Sequence, residues 1–114
     1  MAKYLFNAPI APVDWSKYKK ASFEFERIPE EVFCQAVKEG AKSLIGHGPT
    51  AEAIAKLSNT SPPPIAREEV YMEPGDEDEG YHLVLKRRAP PNRELSYEEM
   101  RQIGWWLVRS KRVV

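Results

Sequence analysis

The chain has 114 residues, with 17 basic and 17 acidic side chains and no formal net charge. This size fits one folded domain, and the charge balance argues against electrostatic binding of long DNA or RNA. Cys34 is the only cysteine, which excludes an internal disulfide and predicts a reducing, cytoplasmic setting. No apolar run approaches the ~20 residues of a membrane span, so no membrane partner is expected.

The first third of the chain predicts two strands and a helix. Residues 3–7, whose centre Tyr4-Leu5-Phe6 is apolar and aromatic, predict the first strand, and a proline-containing loop follows them. Residues 21–27 alternate strictly, which predicts a strand with Phe23 and Phe25 on one face. A helix should run over 29–39, because acidic residues suit its first turn and a glycine follows it. Its expected buried stripe is Val32, Phe33, Ala36 and Val37.

The stretch 43–50 is the strongest candidate for a ligand site. An apolar pair leads into Gly46-His47-Gly48, and Pro49 suits the first turn of a helix. Glycines allow close backbone approach, and a helix N-terminus favours a phosphate group. We therefore place Gly46, Gly48 and Thr50 among the ligand-binding residues, with His47 as a general acid or base. The alternative is a loop that only caps the following helix, whose buried face is expected at Ala51, Ile54, Ala55 and Ser58.

The middle of the chain predicts a hairpin. Residues 67–73 and 81–87 each have strand character, and the acidic segment 74–80 between them predicts a solvated turn rather than a calcium loop. His82 lies in the middle of the second strand and is expected to be structural. Three cations at 86–88 end that strand, and they form either a phosphate clamp or a solvated strand end.

The last part of the chain predicts a capped helix and a strand. Ser96 and Glu99 fit a capping box, and Gly104 should end the helix. Trp105 and Trp106 would point to opposite faces of a strand over 105–108, so one ring needs a cover, such as a second subunit. The basic tail 109–112 is expected to be solvated. Together the elements predict a single α/β (α+β) domain, a mixed sheet of about five strands with flanking helices.

Several separated pieces of the chain resemble the viral ring nucleases, the type III anti-CRISPR family of small viral and archaeal proteins. The resemblance spans nearly the whole chain. The matching pieces are Asn7-Ala8, residues 43–50, Arg67 with Val70, Met72 and 75–77, and Arg88 with Leu95-Ser96 and 98–99.

This resemblance implies a homodimeric enzyme, without metal or other cofactor, that cleaves cyclic tetra-adenylate, the second messenger of type III CRISPR defence. By the same resemblance, His47 is the general acid, Arg67 and Arg88 hold the ligand, and Asn7 also lies in the site. The products would be linear di-adenylates, released by attack of a 2′-hydroxyl on phosphorus.

The chain departs from the family pattern at three positions. The family glutamate three residues after the second arginine falls on Pro91, and two polar positions of the first loop fall on Ile10 and Pro12. A non-catalytic protein that sequesters the messenger is therefore the alternative function. A small structural or partner-binding dimer that binds no nucleotide is a third possibility.

Overall fold

A computed structural model describes residues 2–6, 13–45, 48–60, 71–75, 78–87 and 95–114. Its elements confirm the predicted mixed α+β class, with five strands and three helices in the described parts of the chain. The strands are β1 (Ala2–Phe6), β2 (Phe23–Arg27), β3 (Lys42–Ser43), β4 (Asp78–Leu85) and β5 (Trp105–Arg112). The helices are α1 (Glu30–Lys38), α2 (Gly48–Ser58) and α3 (Tyr97–Ile103).

One sheet joins all five strands in the order β2-β5-β4-β1-β3. Strand β1 pairs in parallel with β3 and β4, whereas β5 runs antiparallel to β4 and β2. Strands β1 to β4 therefore all end on the same side of the sheet. We call this side the carboxyl edge, and its strand ends are Phe6, Arg27, Ser43 and Leu85.

All three helices pack on one face of the sheet, here called the covered face. Alternation along the strands sends Leu5, Leu83 and Leu107 to this face, where they are buried in the main hydrophobic cluster. Phe33 and Ile54 fill the same cluster from α1 and α2. The predicted inner face of α2 is confirmed, since its four residues are all buried: Ala51, Ile54, Ala55 and Ser58.

The predicted buried stripe of α1 is only partly correct. Phe33 and Ala36 are buried as expected, but Val32 is 36% exposed. Cys34 is buried in its place, and its thiol donates a hydrogen bond to the carbonyl of Leu57 at 3.5 Å. Helix α1 therefore contacts α2 through Cys34, in addition to packing Phe33 and Ala36 into the core on the sheet. Burial raises the pKa of the Cys34 thiol, which suits a passive packing residue.

The opposite face of the sheet, here called the open face, carries buried polar groups. His82 is fully buried there, stacked on Phe6 with ring centroids 5.0 Å apart. Its Nε2 lies 2.6 Å from the hydroxyl of Ser110. His82 is thus part of the packing of the sheet, as the sequence predicts.

The C-terminal tail is not solvated, contrary to expectation. Residues 109–112 extend β5, and Arg112 is only 1% exposed. Its guanidinium donates to the carbonyls of Met72 at 2.7 Å and Lys20 at 3.4 Å, and its Nε donates to Val114 at 2.7 Å. The side chain thereby ties segments 13–20 and 71–75 to the open face. A basic residue can be buried here because backbone carbonyls accept its donors.

The predicted hairpin is wrong. Strand β4 pairs with β1 on one side and β5 on the other, so no edge of β4 is left for residues 67–73. Tyr71 to Glu73 form no strand, and residues 67–70 lie outside the described residues. The predicted turn is also too long, because β4 already begins at Asp78.

The C-terminal helix follows its prediction. Ser96 and Glu99 form the capping box of α3, and Gly104 ends the helix at a φ of +82° that favours glycine. The next two residues point to opposite faces, also as predicted. Trp105 packs against the covered-face core, while Trp106 is 38% exposed on the open face.

Candidate functional site

Most of the predicted site residues lie outside the described part of the chain. These are Asn7, Gly46, His47, Arg67 and Arg88. Gly48 and Thr50 are described, at the start of α2. The roles of all these residues therefore stay predictions, and the described residues show the framework that carries them.

The path from β3 into α2 is fixed by short-range hydrogen bonds. The N–H of Leu44 donates to the carbonyl of Leu5 at 2.9 Å, which continues the pairing of β3 with β1. The N–H of Ile45 donates to the hydroxyl of Ser43 at 3.1 Å. Ile45 itself is buried in the core. The chain therefore leaves the carboxyl edge in a defined direction, and α2 begins at Gly48, only three residues beyond Ile45.

Gly48 has no steric reason within the described chain to be glycine. An added Cβ at this position would meet no described atom within 4 Å, and Gly48 is not among the glycines with positive φ. Thr50, two residues further, is only 4% exposed, so its side chain belongs to the packing of α2.

Positive charge gathers at the carboxyl edge around Trp106. The guanidinium of Arg27 lies 4.1 Å from the centre of the indole ring, and the ammonium of Lys86 lies 4.3 Å from it. Arg87, next in the chain, is exposed. Within the described residues, none of these three cations forms an ion pair with a carboxylate.

Sequence reasoning missed the cluster of Arg27, Lys86 and Trp106. Each residue lies at or next to the end of a predicted strand, so the sequence indicated each of them separately but not their meeting. The order of the strands was not predicted, and only the order β2-β5-β4 brings these three ends together.

A second group of charges lies further from the carboxyl edge, on the covered face. Arg109 donates from Nε to Glu26 at 2.8 Å and lies 3.8 Å from Glu79. The hydrogen bond with Glu26 raises the pKa of Arg109, and burial raises the pKa of the neighbouring Tyr81. A cavity of about 490 Å³ opens beside this group. One guanidinium here contacts two carboxylates, so the group is not suited to hold an anion.

The described residues offer no metal site. No group of three or more histidine, cysteine, aspartate or glutamate side chains within them could hold an ion. In the same parts of the chain, no helix combines the length and the apolar character that crossing a membrane requires.

Comparison with known proteins gives a fold and a family. The structure of B116 from Sulfolobus turreted icosahedral virus (STIV) superposes with a TM-score of 0.67. The match covers 97% of this chain and 99% of B116 at 23% sequence identity, a likeness that shows the shared fold. No protein with a curated description matches the chain. The model of the STIV B116-like family matches residues 3–107, and the chain therefore belongs to the STIV B116-like family.

Proposed function

We propose that this protein is a metal-independent ring nuclease that cleaves cyclic tetra-adenylate to linear di-adenylates and so switches off type III CRISPR signalling in the host cytosol. The observation that carries the proposal is the carboxyl edge of the sheet. Strands β1, β3 and β4 end there together, and α2 starts close to the end of β3. Ligands of open α/β sheets bind outside the carboxyl ends of the strands.

The sequence positions of the proposed site residues support this choice of edge. Asn7 is the next residue after Phe6 of β1, and His47 immediately precedes Gly48 of α2. Arg88 immediately follows Arg87, just beyond the end of β4. Asn7 and Arg88 thus follow closely on the ends of two neighbouring strands, and His47 precedes the helix that starts close to the end of β3.

The cleavage needs no external nucleophile. In the ligand, a ribose 2′-oxygen forms a bond to the adjacent phosphorus and gives up its proton to water, while the bond from phosphorus to the 5′-oxygen breaks. His47 supplies the proton to the departing 5′-oxygen, because an alkoxide is a poor leaving group. Arg67 and Arg88 neutralise the charge that develops on the phosphate oxygens. Each cut leaves a 2′,3′-cyclic phosphate and a 5′-hydroxyl.

A two-fold dimer accounts for the proposed products. One chain carries one copy of His47, whereas a C2 dimer with the ring on its axis would place two acids at opposite phosphates. Two opposite cuts divide a ring of four nucleotides into two di-adenylates. Light scattering at micromolar concentration should therefore give the mass of a dimer.

Turnover of the ring distinguishes the proposal from its alternative. The protein is incubated with a stoichiometric excess of cyclic tetra-adenylate in EDTA, and the products are separated by chromatography. Conversion of the whole excess to linear di-adenylates supports the enzyme. Ring recovered intact but bound supports the sequestering protein, which is favoured by Pro91 at the position of the family glutamate. Ring neither bound nor cleaved contradicts both.

The arginines give a separate measure of the ligand contacts. Replacing Arg67 or Arg88 by alanine should weaken binding of the ring by roughly tenfold or more, because each charge-assisted bond is worth about 1.5–3 kcal/mol. Arg101→Ala is the matched control, since Arg101 is an exposed residue of α3. Unchanged affinity in both site variants would show that the pocket has been assigned to the wrong residues.

A further inference from the structure

The open face of the sheet carries an aromatic cavity whose lining includes none of the residues assigned to the proposed cleavage reaction. Trp106 is 38% exposed and Phe25 is 45% exposed on this face. Between them lies a cavity of about 310 Å³, lined by Phe25, Arg27, Val84, Trp106 and Val108. These residues belong to β2, β4 and β5, so the cavity lies on three neighbouring strands of the sheet.

Two cations accompany this cavity: Arg27 is among its lining residues, and Lys86 lies against the same indole. Arg27 and Lys86 both lie against the indole of Trp106, at 4.1 and 4.3 Å from its ring centre. Neither is paired with a carboxylate of the described chain. Glu26, which neighbours Arg27 in sequence, pairs with Arg109 instead. The aromatic cavity therefore carries two positive charges around Trp106 that no carboxylate of the described residues compensates.

This combination restricts what can occupy the cavity. A purely apolar partner would cover two cations without supplying an acceptor for either, which is unfavourable. An acidic peptide would satisfy the cations and leave the aromatic walls without a matching group. A nucleotide satisfies both, because its base has a flat π-face and its phosphate is an anion.

We propose that this cavity binds one nucleotide, with the base between Trp106 and Phe25 and the phosphate on Arg27 and Lys86. The cavity volume lies at the lower end of the ~300–1,000 Å³ that is usual for small-ligand sites, which suits a single nucleotide. The zero net charge of the chain likewise disfavours a long strand, whose binding depends on many phosphate contacts. This proposal does not depend on the cleavage reaction.

Methyl-resolved NMR tests the site directly, with adenosine 5′-monophosphate as the probe. Addition of this nucleotide should shift the methyl signals of Val84 and Val108 in a saturable way. Adenosine without phosphate, and inorganic phosphate without a base, should each bind at least tenfold more weakly. The double variant Arg27→Gln/Lys86→Gln should lose about tenfold in affinity while its spectrum stays folded.

Single tryptophan variants distinguish binding in this cavity from binding elsewhere on the protein. Trp106→Leu should weaken the nucleotide by about tenfold. Trp15→Leu is the matched control, because Trp15 is 65% exposed and lines no part of this cavity. The Trp15→Leu variant should bind adenosine 5′-monophosphate as tightly as the parent protein does. Absence of saturable shifts at Val84 and Val108, or equal affinity in all variants, overturns the proposal. Tighter binding of a poly-glutamate peptide than of the nucleotide also overturns it, in favour of an acidic partner.

The test is independent of the proposed nuclease, since adenosine 5′-monophosphate contains no phosphodiester to cleave. A second titration identifies the natural source of the nucleotide. It uses cyclic tetra-adenylate and the His47→Ala background, with and without Trp106→Leu. Weaker ring binding in the double variant assigns the cavity to a nucleotide of the ring, and equal ring binding assigns it to a free nucleotide.

Discussion

The two faces of the sheet are built in different ways. The covered face packs apolar side chains from the strands against three helices, with Leu83, Phe33 and Ile54 fully or almost fully buried. The open face has no helix on it within the described chain, and its buried residues include His82, Ser110 and Arg112. Burial of apolar area therefore stabilises the covered face, whereas the open face combines the packing of Phe6 on His82 with a few directed hydrogen bonds.

The open face is itself divided along the strands. Toward the amino end of β4, Arg112 ties two irregular segments down through backbone carbonyls. Toward the carboxyl edge, Trp106 and its two cations stay accessible. Every buried side-chain nitrogen or oxygen of the described residues has a hydrogen-bond partner. Within the described residues, the buried polar groups of the open face thus all have hydrogen-bond partners. Its exposed cations Arg27 and Lys86 contact Trp106 and no carboxylate.

Adjacent residues of β4 test the difference between the faces most strongly. Leu83 points to the covered face and Val84 to the open face. Leu83→Ala should lower the free energy of unfolding by about 3 kcal/mol, because it leaves a cavity in a closed core. Val84→Ala should cost about 1 kcal/mol or less, because its side chain is partly exposed. Urea denaturation of both variants measures the two values. Equal losses would mean that the open face is as closely packed as the covered face.

Arg112 tests the part of the open face that depends on hydrogen bonds. Arg112→Met keeps the length of the side chain but removes its donors to Met72, Lys20 and Val114. We expect a loss of about 2 kcal/mol, in the range of hydrogen bonds to charged groups. Hydrogen exchange should accelerate mainly in 71–75, leaving α2 protected. Arg101→Met is the control and should cost less than about 0.5 kcal/mol, because Arg101 is exposed on the surface. A neutral Arg112→Met would show that packing alone holds these segments.

The smallest effect concerns a carboxylate at the margin of the open face. The hydrogen bond from the Tyr18 hydroxyl holds the pKa of Glu73 below its ordinary value of 4.5. Because the folded-state pKa is lowered, this contact stabilises the fold above pH 4.5 and loses its effect as pH falls through the folded-state value. Tyr18→Phe should raise the pKa of Glu73 and flatten this acid dependence. A carboxyl NMR titration measures it, with Glu39, whose pKa Lys3 lowers, as the unchanged reference. An unaltered Glu73 pKa would assign the shift to Lys17 instead.

The covered face could be predicted from sequence to a greater extent than the open face. The stripe of α2, the capping box at Ser96 and the turn at Gly104 follow from local periodicity and backbone preference. The hairpin prediction failed because residues 67–73 have strand character, yet pairing with β1 and β5 leaves them no edge of β4. The burial of Arg112 was not predictable for a related reason. Its acceptors belong to residues 40 and 92 positions away in the chain, and no local pattern reports them.

The candidate site, too, could be predicted only in part from the sequence. The helix start at Gly48 was predictable, because glycine and proline mark it in the sequence. The cluster of Arg27, Lys86 and Trp106 was not, because three separate strand ends meet only through the strand order.

Single-turnover cleavage by His47→Ala tests the central claim of ring cleavage most directly. The variant and the parent protein are each mixed in excess with cyclic tetra-adenylate in EDTA, and binding is measured in parallel. His47→Ala should stay folded and keep most of its affinity, yet cleave about 10²–10⁴-fold more slowly, the usual contribution of a general acid. Cleavage by the parent protein should persist in EDTA and fall at high pH, as the acid form of His47 is lost. Full cleavage by the variant, or a strict requirement for a divalent metal, would contradict the account.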